Sequence, residues 1–322
     1  MPSSYSQSQI FTHLMTIHWY PGHMHKANKE IKETLSQIDL IIEVLDSRIP
    51  FSSQNPLLSE LRGNKLCIKV LTKSDLADPK LTSQWQTWLE QEQGVKTLAL
   101  TTEHPERMRQ LVELSRKMVK TLPGKRQIIN AMIMGIPNVG KSSLINILAG
   151  RTIAKTGNEP AVTKSQQRIN IGNDFMLFDT PGVLWPKVEN ESSMYRLAVS
   201  GAVKDTAYEY DDIAFFAAEY LLSAYPDSLK QRYQFTKTPT NELALLETIG
   251  RKRGCLRSGG HIDLDKASKI LLTELRSGKL GSISLETPDM IQHELATLAI
   301  KQEIEAQLKD NKRKKKKKIY RP

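Results

Sequence analysis

The sequence predicts an α/β protein in which a parallel sheet carrying a glycine-rich loop is followed by an all-α region. As far as about residue 185, short apolar runs alternate with helical patterns, as in parallel sheets covered by helices on both faces. One apolar run leads into the glycine-rich segment Gly135–Ser142. After about residue 190, helical spacing dominates and β-branched runs are scarce.

The predicted strands are apolar runs, and the predicted helices show amphipathic spacing. The strands are Leu40–Leu45, Leu66–Leu71, Val95–Leu100 and Ile128–Met134, with an added hairpin of Ile169–Ile171 and Phe175–Phe178. The helices are 25–37, 80–93, 104–121 and 141–149, and then 193–203, 207–224, 240–252, 264–276 and 287–308.

Length and composition are those of an ordinary globular protein, with 322 residues, 39% hydrophobic and 25% charged; this length predicts about two domains. Cys67 and Cys255, the two cysteines, exclude a disulfide scaffold and a Cys-rich zinc module. No apolar stretch is long enough to span a membrane, and residues 1–14 lack the features of a secretory signal and contain no Lys or Arg. We therefore expect a cytoplasmic protein, and we expect a monomer.

We divide the chain by changes in composition. The proposed divisions are a polar extension at 1–14, which could precede the true start at Met15, an α/β domain at 15–190, a helical domain at 191–310 and a basic tail at 311–322.

The basic tail contains seven consecutive cations, Lys312–Lys318, which supply most of the net charge of +11. Such a block repels itself, is expected to be disordered alone, and favours a polyanionic partner such as nucleic acid. A tail that only improves solubility is the alternative. A membrane surface is disfavoured because no lipidation motif or amphipathic helix accompanies the block.

The segment Gly135–Ser142 matches the P-loop pattern GxxxxGK[ST] and lies between a predicted strand and a predicted helix. Its amide groups should form a nest for phosphate at a helix N-terminus. Lys141 should reach the β- and γ-phosphates, and Ser142 should bind Mg²⁺. The predicted phosphate-binding residues are Asn138, Val139, Gly140, Lys141, Ser142, Ser143 and Gly182.

A second motif, Asp179-Thr-Pro-Gly182, follows the strand Phe175–Phe178. Asp179 is placed to hold Mg²⁺ through water, and the amide of Gly182 could sense a γ-phosphate; an ordinary turn is the alternative. Thr163 lies in a Gly/Pro/Thr loop that could close over Mg²⁺ when a γ-phosphate is present, or it could be an inert loop residue.

A third motif, Thr72-Lys-Ser-Asp75, is similar to the Asn-Lys-x-Asp sequence that binds guanine. The Asp75 carboxylate could accept hydrogen bonds from guanine N1–H and the 2-amino group, which adenine cannot offer. Lys73 could lie along the base, and Thr101-Thr102 could supply an amide to the guanine oxygen. GTP and GDP are therefore the expected ligands, although Lys-Ser-Asp is also ordinary turn chemistry.

The order of the motifs is unusual, because the base-reading motif at Asp75 precedes the P-loop at Gly135. The opposite order is standard in GTPases. A circular permutation would explain this order, since native termini that lie close together allow one. All three motifs could then still lie at the carboxyl edge of one sheet.

From Met15 onward the chain resembles the YlqF/RbgA family of circularly permuted GTPases (ribosome biogenesis GTPase A). The motifs shared with this family are Trp19-Tyr-Pro-Gly-His23-Met-x-Lys-Ala27, Asp46-Ser-Arg48-Ile-Pro50, Thr72–Asp75, Gly135–Ser143, Thr163-Lys-Ser-Gln and Asp179–Gly182. Thr72, Thr101-Thr102 and Ala161 depart from the residues usual in the family.

The resemblance implies a GTPase that assists late maturation of the large ribosomal subunit and is stimulated by the pre-ribosomal particle. It also implies that the helical domain contacts ribosomal RNA. It points to His23 as the residue that orients the attacking water, because Val183 occupies the position where many GTPases place Gln. His23 could instead cap a helix or bind RNA.

Asn138 occupies the P-loop position that K⁺-activated GTPases use to bind a monovalent cation. A K⁺ ion there would neutralise charge on the phosphates, whereas the alternative is an Asn that stabilises the loop. Two other functions stay open at this stage: a non-catalytic RNA-binding assembly factor, and a GTPase acting in transfer RNA modification or metal uptake.

Overall fold

A six-stranded sheet forms the first half of the protein. The computed structural model describes residue 29 and residues 31–120, 128–153, 167–182 and 188–319, with side chains as far as residue 310. The strands are β1 (Leu40–Asp46), β2 (Leu66–Thr72), β3 (Val95–Ala99), β4 (Ile129–Gly135), β5 (Gln167–Gly172) and β6 (Phe175–Asp179). Their order across the sheet is β3-β2-β1-β4-β6-β5.

Five of these strands run parallel, and β5 pairs antiparallel with β6 as the predicted hairpin. All seven residues of β1 are buried, because β1 lies in the middle of the sheet between β2 and β4. The residues that follow β1, β2, β3, β4 and β6 therefore meet at one carboxyl edge. The predicted parallel sheet is confirmed, and each predicted strand lies within two residues of its observed bounds.

Helices α1–α4 accompany the sheet: α1 (Pro56–Arg62), α2 (Pro79–Leu89), α3 (Arg109–Val119) and α4 (Lys141–Ala149). A helical segment at 31–34 also leads through a 3-10 turn (Leu35–Gln37) into β1. Helix α1 was not predicted, although Asn55 caps it by accepting a hydrogen bond from the Leu57 amide and Pro56 occupies its first turn.

Helices α5–α10 form the second half: α5 (Glu191–Ser200), α6 (Tyr210–Ala224), α7 (Pro226–Tyr233), α8 (Glu242–Arg253), α9 (Leu264–Arg276) and α10 (Pro288–Ile319). Asn190, Asn241 and Asp263 cap α5, α8 and α9. Their residue types are those preferred at helix N-termini, so they mark where these helices begin. The predicted helical region is confirmed, and α7 is an additional helix.

Helix α10 is longer than predicted and extends through the basic run as far as Ile319, where we expected no regular structure. From residue 299 to residue 310 every side chain is exposed, including Ile300, Ile304 and Leu308. In the described part of the chain, no helix has the length and apolar character needed to cross a membrane.

The helical region packs directly on the loop that follows β1. The Glu286 carboxylate accepts hydrogen bonds from the Ser52 amide (3.0 Å) and the Phe51 amide (2.5 Å), and the Trp85 indole donates to the Glu286 carbonyl (3.1 Å). The Leu285 amide donates to the Arg48 carbonyl (2.8 Å). The two halves also share one hydrophobic cluster. The boundary proposed near residue 190 therefore stays a prediction about domain organisation.

Candidate functional site

The P-loop and the Asp179 motif meet at the carboxyl edge of the sheet. The Lys141 ammonium lies 2.5 Å from the Asp179 Oδ1 atom, and both side chains are buried. Burial raises the pKa of the Asp179 carboxyl, although Lys141 opposes the shift. Lys141 begins α4 directly after the P-loop, and Asp179 ends the neighbouring strand β6. The P-loop and the Asp179 motif therefore lie together at one edge of the sheet, as the motif order allowed.

Gly182 brings the Asp179 motif against the P-loop backbone. A Cβ atom at this position would lie 3.2 Å from the Pro137 nitrogen, which is a tight contact with the P-loop backbone. The Thr180 hydroxyl donates to the Ile133 carbonyl of β4 (2.9 Å), which holds the start of the motif beside the strand that carries the P-loop. The Gly182 amide is thereby kept close to the predicted phosphate site.

The oxygen donors fit Mg²⁺ better than a softer metal. Ser142 is partly exposed one residue after Lys141, and the Lys141 ammonium contacts the Asp179 carboxylate. The described residues contain no cluster of three or more His, Cys, Asp or Glu side chains suited to a metal. A hydroxyl, one carboxylate and substrate phosphates form the sparse oxygen set with which proteins commonly bind Mg²⁺.

The base-reading motif contacts the P-loop from the opposite side. The Lys73 ammonium donates to the Asn138 carbonyl of the P-loop (2.7 Å). The Thr72 hydroxyl is within hydrogen-bond reach of the carbonyls of Leu45 (2.8 Å) and Val139. Gly140 has φ +90°, and a Cβ at this position would lie 3.6 Å from Thr72. Two motifs more than sixty residues apart in sequence are therefore adjacent.

The remaining guanine-binding candidates lie in the same loop cluster. Asp75 lies in a short 3-10 turn (Ser74–Leu76) directly after β2 and is partly exposed. The Ser74 amide donates to the Leu100 carbonyl (3.3 Å), which brings the Asp75 turn beside the segment that follows β3. There, Thr101 is buried and Thr102 is exposed. The structure therefore brings the predicted base site and phosphate site to one edge.

Comparison with known proteins also indicates a GTPase. A family model described as "50S ribosome-binding GTPase" matches residues 130–238. Ribosome biogenesis GTPase A of Priestia megaterium is 44% identical over 87% of this chain and all of its own length. The chain belongs to the ribosome biogenesis GTPase A family.

More distant members of the ribosome biogenesis GTPase A family also match this chain in sequence and in fold. The Thermotoga maritima protein is 30% identical over 85% of this chain and 95% of its own length. The structure of T. maritima YlqF bound to GNP has a TM-score of 0.59 and 26% identity, and the alignment covers 82% of this chain and 99% of that one. The GDP-bound YlqF structure has a TM-score of 0.58. As a ribosome biogenesis GTPase, the chain is a GTP hydrolase.

Asn138 lies at the junction between the P-loop and the helical region of this GTPase. Its side-chain amide donates to the carbonyl of Gly201 (2.8 Å), the residue that directly follows and caps α5, and its backbone has φ 61°. The P-loop is therefore tied to the helical region by a side chain that sequence analysis connected with K⁺. The K⁺ role stays a prediction.

Several predicted site residues of this GTPase lie outside the described residues. They are His23, Thr163 and Val183, together with Ala161. The predicted water-orienting and Mg²⁺-closing roles of His23 and Thr163 therefore stay predictions.

Sequence analysis did not assign a role at the site to Asp46 or Arg48. These residues were named only as part of a motif shared with the family. Asp46 ends β1, between the strands that carry the base motif and the P-loop. Burial alone would raise the pKa of the Asp46 carboxyl, but Arg48 and Lys73 hold it well below its usual range. A carboxylate at a strand end was the available signal, and it is the same signal that identified Asp179.

Proposed function

We propose that this GTPase binds GTP across the carboxyl edge of the sheet, with the triphosphate on the P-loop and guanine at Asp75. The observation that carries this proposal is the junction of Lys73 with the Asn138 carbonyl and of Lys141 with Asp179. One contact comes from the β2 side of the P-loop and the other from the β6 side, so three separate motifs meet at one loop. The P-loop amides and the α4 N-terminus would bind the phosphates.

The buried pair of Lys141 and Asp179 has a second use in this proposal. Phosphate oxygens are better partners for a lysine than one buried carboxylate, since they offer several negative acceptors. We expect the nucleotide to take over Lys141 and to leave Asp179 facing the Mg²⁺ position, with Ser142 and Thr163 as the other protein donors. Bound Mg²⁺ would neutralise charge on the β- and γ-phosphates.

His23 is the proposed residue that orients the attacking water, because Val183 cannot form a hydrogen bond with it. A neutral imidazole can accept a proton near pH 7. Asn138 is the proposed ligand of a K⁺ ion that would neutralise further charge on the phosphates. Hydrolysis in the presence of ribosomal particles should then be faster in KCl than in NaCl, and equal rates would contradict the K⁺ role.

The proposed partner is the precursor of the large ribosomal subunit and its RNA, and the particle would stimulate hydrolysis late in assembly. Relatives are named for ribosome biogenesis, and the matching family is described as 50S ribosome-binding. The basic run Lys312–Lys318 supports an RNA partner through its charge. We also propose a cytoplasmic location and a monomeric protein.

The experiment that tests this function measures GTP turnover with and without purified large subunits. His23→Ala should lose stimulation about 10²-fold or more while retaining nucleotide affinity, because it would remove a group acting on the water alone. His261→Ala, which removes an exposed histidine from a loop of the helical region, is the matched control and should be stimulated normally. Normal stimulation of His23→Ala would reject the water-orienting role, and absence of GTP turnover in the unsubstituted protein would reject the function.

A further inference from the structure

The buried Asp46 carboxylate is a junction between two cationic side chains. Its Oδ2 atom accepts hydrogen bonds from the Lys73 ammonium (2.8 Å) and from Arg48 Nη2 (2.7 Å). Its Oδ1 atom accepts from Arg48 Nε (2.9 Å) and the Arg48 amide (3.0 Å). Asp46 and Arg48 are each about 3% exposed, so water competes little for these bonds.

Lys73 is the residue that this junction orients. Its ammonium is held between the Asp46 carboxylate and the Asn138 carbonyl of the P-loop, and its backbone has φ 54°. A lysine side chain has four rotatable bonds and therefore many possible conformations. Hydrogen bonds to a carboxylate and to a carbonyl together select one of these conformations. Lys73 comes two residues before Asp75, so its placement affects both the base side and the phosphate side of the proposed site.

Arg48 connects the same junction to the carboxyl ends of two helices. Its Nη2 atom lies 3.3 Å from the Ser200 carbonyl of α5, and Nη1 lies 3.4 Å from the Arg276 carbonyl of α9. A cation at a helix carboxyl end is favoured by the helix dipole. These contacts hold both terminal nitrogens of the Arg48 guanidinium.

The contacts close into a circuit around the end of α5. Asn138 donates to the Gly201 carbonyl, while Arg48 contacts the carbonyl of the adjacent Ser200. The order around the circuit is Gly201, Asn138, Lys73, Asp46, Arg48 and Ser200. A shift of the α5 end relative to the P-loop would therefore strain the Lys73 contacts.

We infer that Asp46 is a positioning residue for guanine-nucleotide binding, acting through Lys73, and that Arg48 transmits the position of the α5 carboxyl end to it. This inference rests on the proposed role of Lys73 in the nucleotide site. A buried ion pair contributes little net stability compared with apolar residues of similar size. Ordering Lys73 gives the pair a direct effect on ligand affinity instead.

The test is a double-mutant cycle on GDP affinity, measured by fluorescence with a labelled GDP. Asp46→Asn keeps the size of the side chain but places an amide group where two donors require an acceptor. It should weaken GDP binding about tenfold in the unsubstituted protein and have little effect in a Lys73→Met background, as expected for residues that act through each other. Arg48→Lys, which shortens the reach to both helix ends, is taken through the same cycle and should show the same pattern.

Glu286→Gln is the matched control, because Glu286 is a buried carboxylate at the same junction with the helical region that contacts Phe51 and Ser52 rather than Lys73. Its GDP affinity should stay within about twofold of that of the unsubstituted protein, because residues that share no partner act independently. Equal losses from Asp46→Asn in both backgrounds, or an equal loss from Glu286→Gln, would overturn the positioning role. An unchanged affinity in Lys73→Met would overturn the proposed base site as well. Loss in Lys73→Met but none in Asp46→Asn and Arg48→Lys would overturn the positioning role alone.

Discussion

At the scale of single residues, the proposed discrimination between bases depends on the Asp75 carboxylate. A carboxylate offers two acceptors and matches the two adjacent donors of guanine, N1–H and the 2-amino group. In the structure Asp75 is partly exposed at the carboxyl end of β2, beside the P-loop contacts of Thr72 and Lys73. Its carbonyl accepts a hydrogen bond from Ser282 (3.1 Å), which fixes the turn.

Asp75→Asn should exchange the preferred base. The new amide would place a donor opposite the guanine 2-amino group, and we expect GTP affinity to fall about 10²-fold or more. Xanthine carries a carbonyl at that position, so xanthosine triphosphate should bind better to the variant than to the unsubstituted protein. Titration of both nucleotides measures the exchange. Glu103→Gln, which neutralises an exposed carboxylate in the neighbouring loop, should change neither affinity, and unchanged GTP affinity in Asp75→Asn would contradict the assignment.

Sequence analysis at this scale predicted which motifs lie together at the carboxyl edge of the sheet, but it did not predict the main-chain contacts of their side chains. Lys141 was assigned to the phosphates and Asp179 to Mg²⁺, and their side chains lie 2.5 Å apart. In contrast, Asn138 contacts the carbonyl of Gly201, and Arg48 contacts the carbonyl of Ser200. A carbonyl group is present at every residue, so the sequence carries no signal that distinguishes these partners.

At the scale of elements, burial and caps explain which predictions succeeded. The central strands are continuous apolar runs because both faces of a parallel sheet are covered, and α4 was predicted at its observed bounds, Lys141–Ala149. Helices α1 and α7 were missed because they are short, with seven and eight residues. Their first-turn prolines, Pro56 and Pro226, were available signals that helical periodicity over such lengths cannot confirm.

The segment at Glu286 joins the helical region to the sheet and gives an element-scale prediction about pH. Burial raises the pKa of the Glu286 carboxyl, although Arg196 and hydrogen bonds from Ser52 and Phe51 oppose the shift. Between the ordinary carboxyl pKa of about 4.3 and the raised folded value, the native state holds a proton that the unfolded state has lost. The contribution of Glu286 to the free energy of unfolding should therefore decrease as pH rises through this window.

Glu286→Gln removes this titration and makes the effect measurable. Urea unfolding of both proteins from pH 4.5 to 7.5 should show that the stability of the unsubstituted protein, relative to the variant, falls with pH by at most about 1.4 kcal/mol per pH unit. Glu90→Gln is the control, because hydrogen bonds from Thr97 lower the pKa of Glu90 despite its partial burial, so that the contribution of Glu90 to stability should not fall as pH rises. A stability difference that is constant or rises with pH for Glu286→Gln would contradict the prediction.

At the scale of the whole molecule, the permuted chain order preserves the site. The carboxyl ends of parallel strands meet at the same edge of a sheet, whatever the order in which the chain connects the strands. The strand order β3-β2-β1-β4-β6-β5 places the base motif after β2, the P-loop after β4 and Asp179 at the end of β6. The permutation also has a consequence for coupling. The Asp179 motif is followed within about ten residues by α5, whose carboxyl end contacts the P-loop through Asn138. We therefore expect a change at bound phosphates to reach the helical region by two short routes.

The basic end of α10 gives a prediction at the same scale. Since every side chain from residue 299 to residue 310 is exposed, removal of residues 311–322 should leave the melting temperature and GDP affinity unchanged. The deletion removes Lys312–Lys318 and Arg321. If most of these cations meet RNA phosphates, the slope of log affinity for large-subunit RNA against log salt should become shallower by about 5, since each neutralised phosphate contributes about 0.9 for a duplex.

A deletion of residues 320–322 alone separates the effect of the basic run from the effect of shortening the chain. It removes one of the eight cations and should change the salt slope by about 1 at most. The two deletions should therefore differ strongly in salt dependence while remaining alike in GDP affinity. If both gave the slope of the full-length protein, the cations would serve solubility, and RNA contact would have to come from the folded helices. Weaker GDP binding in the longer deletion would instead mean that the basic tail acts on the nucleotide site itself.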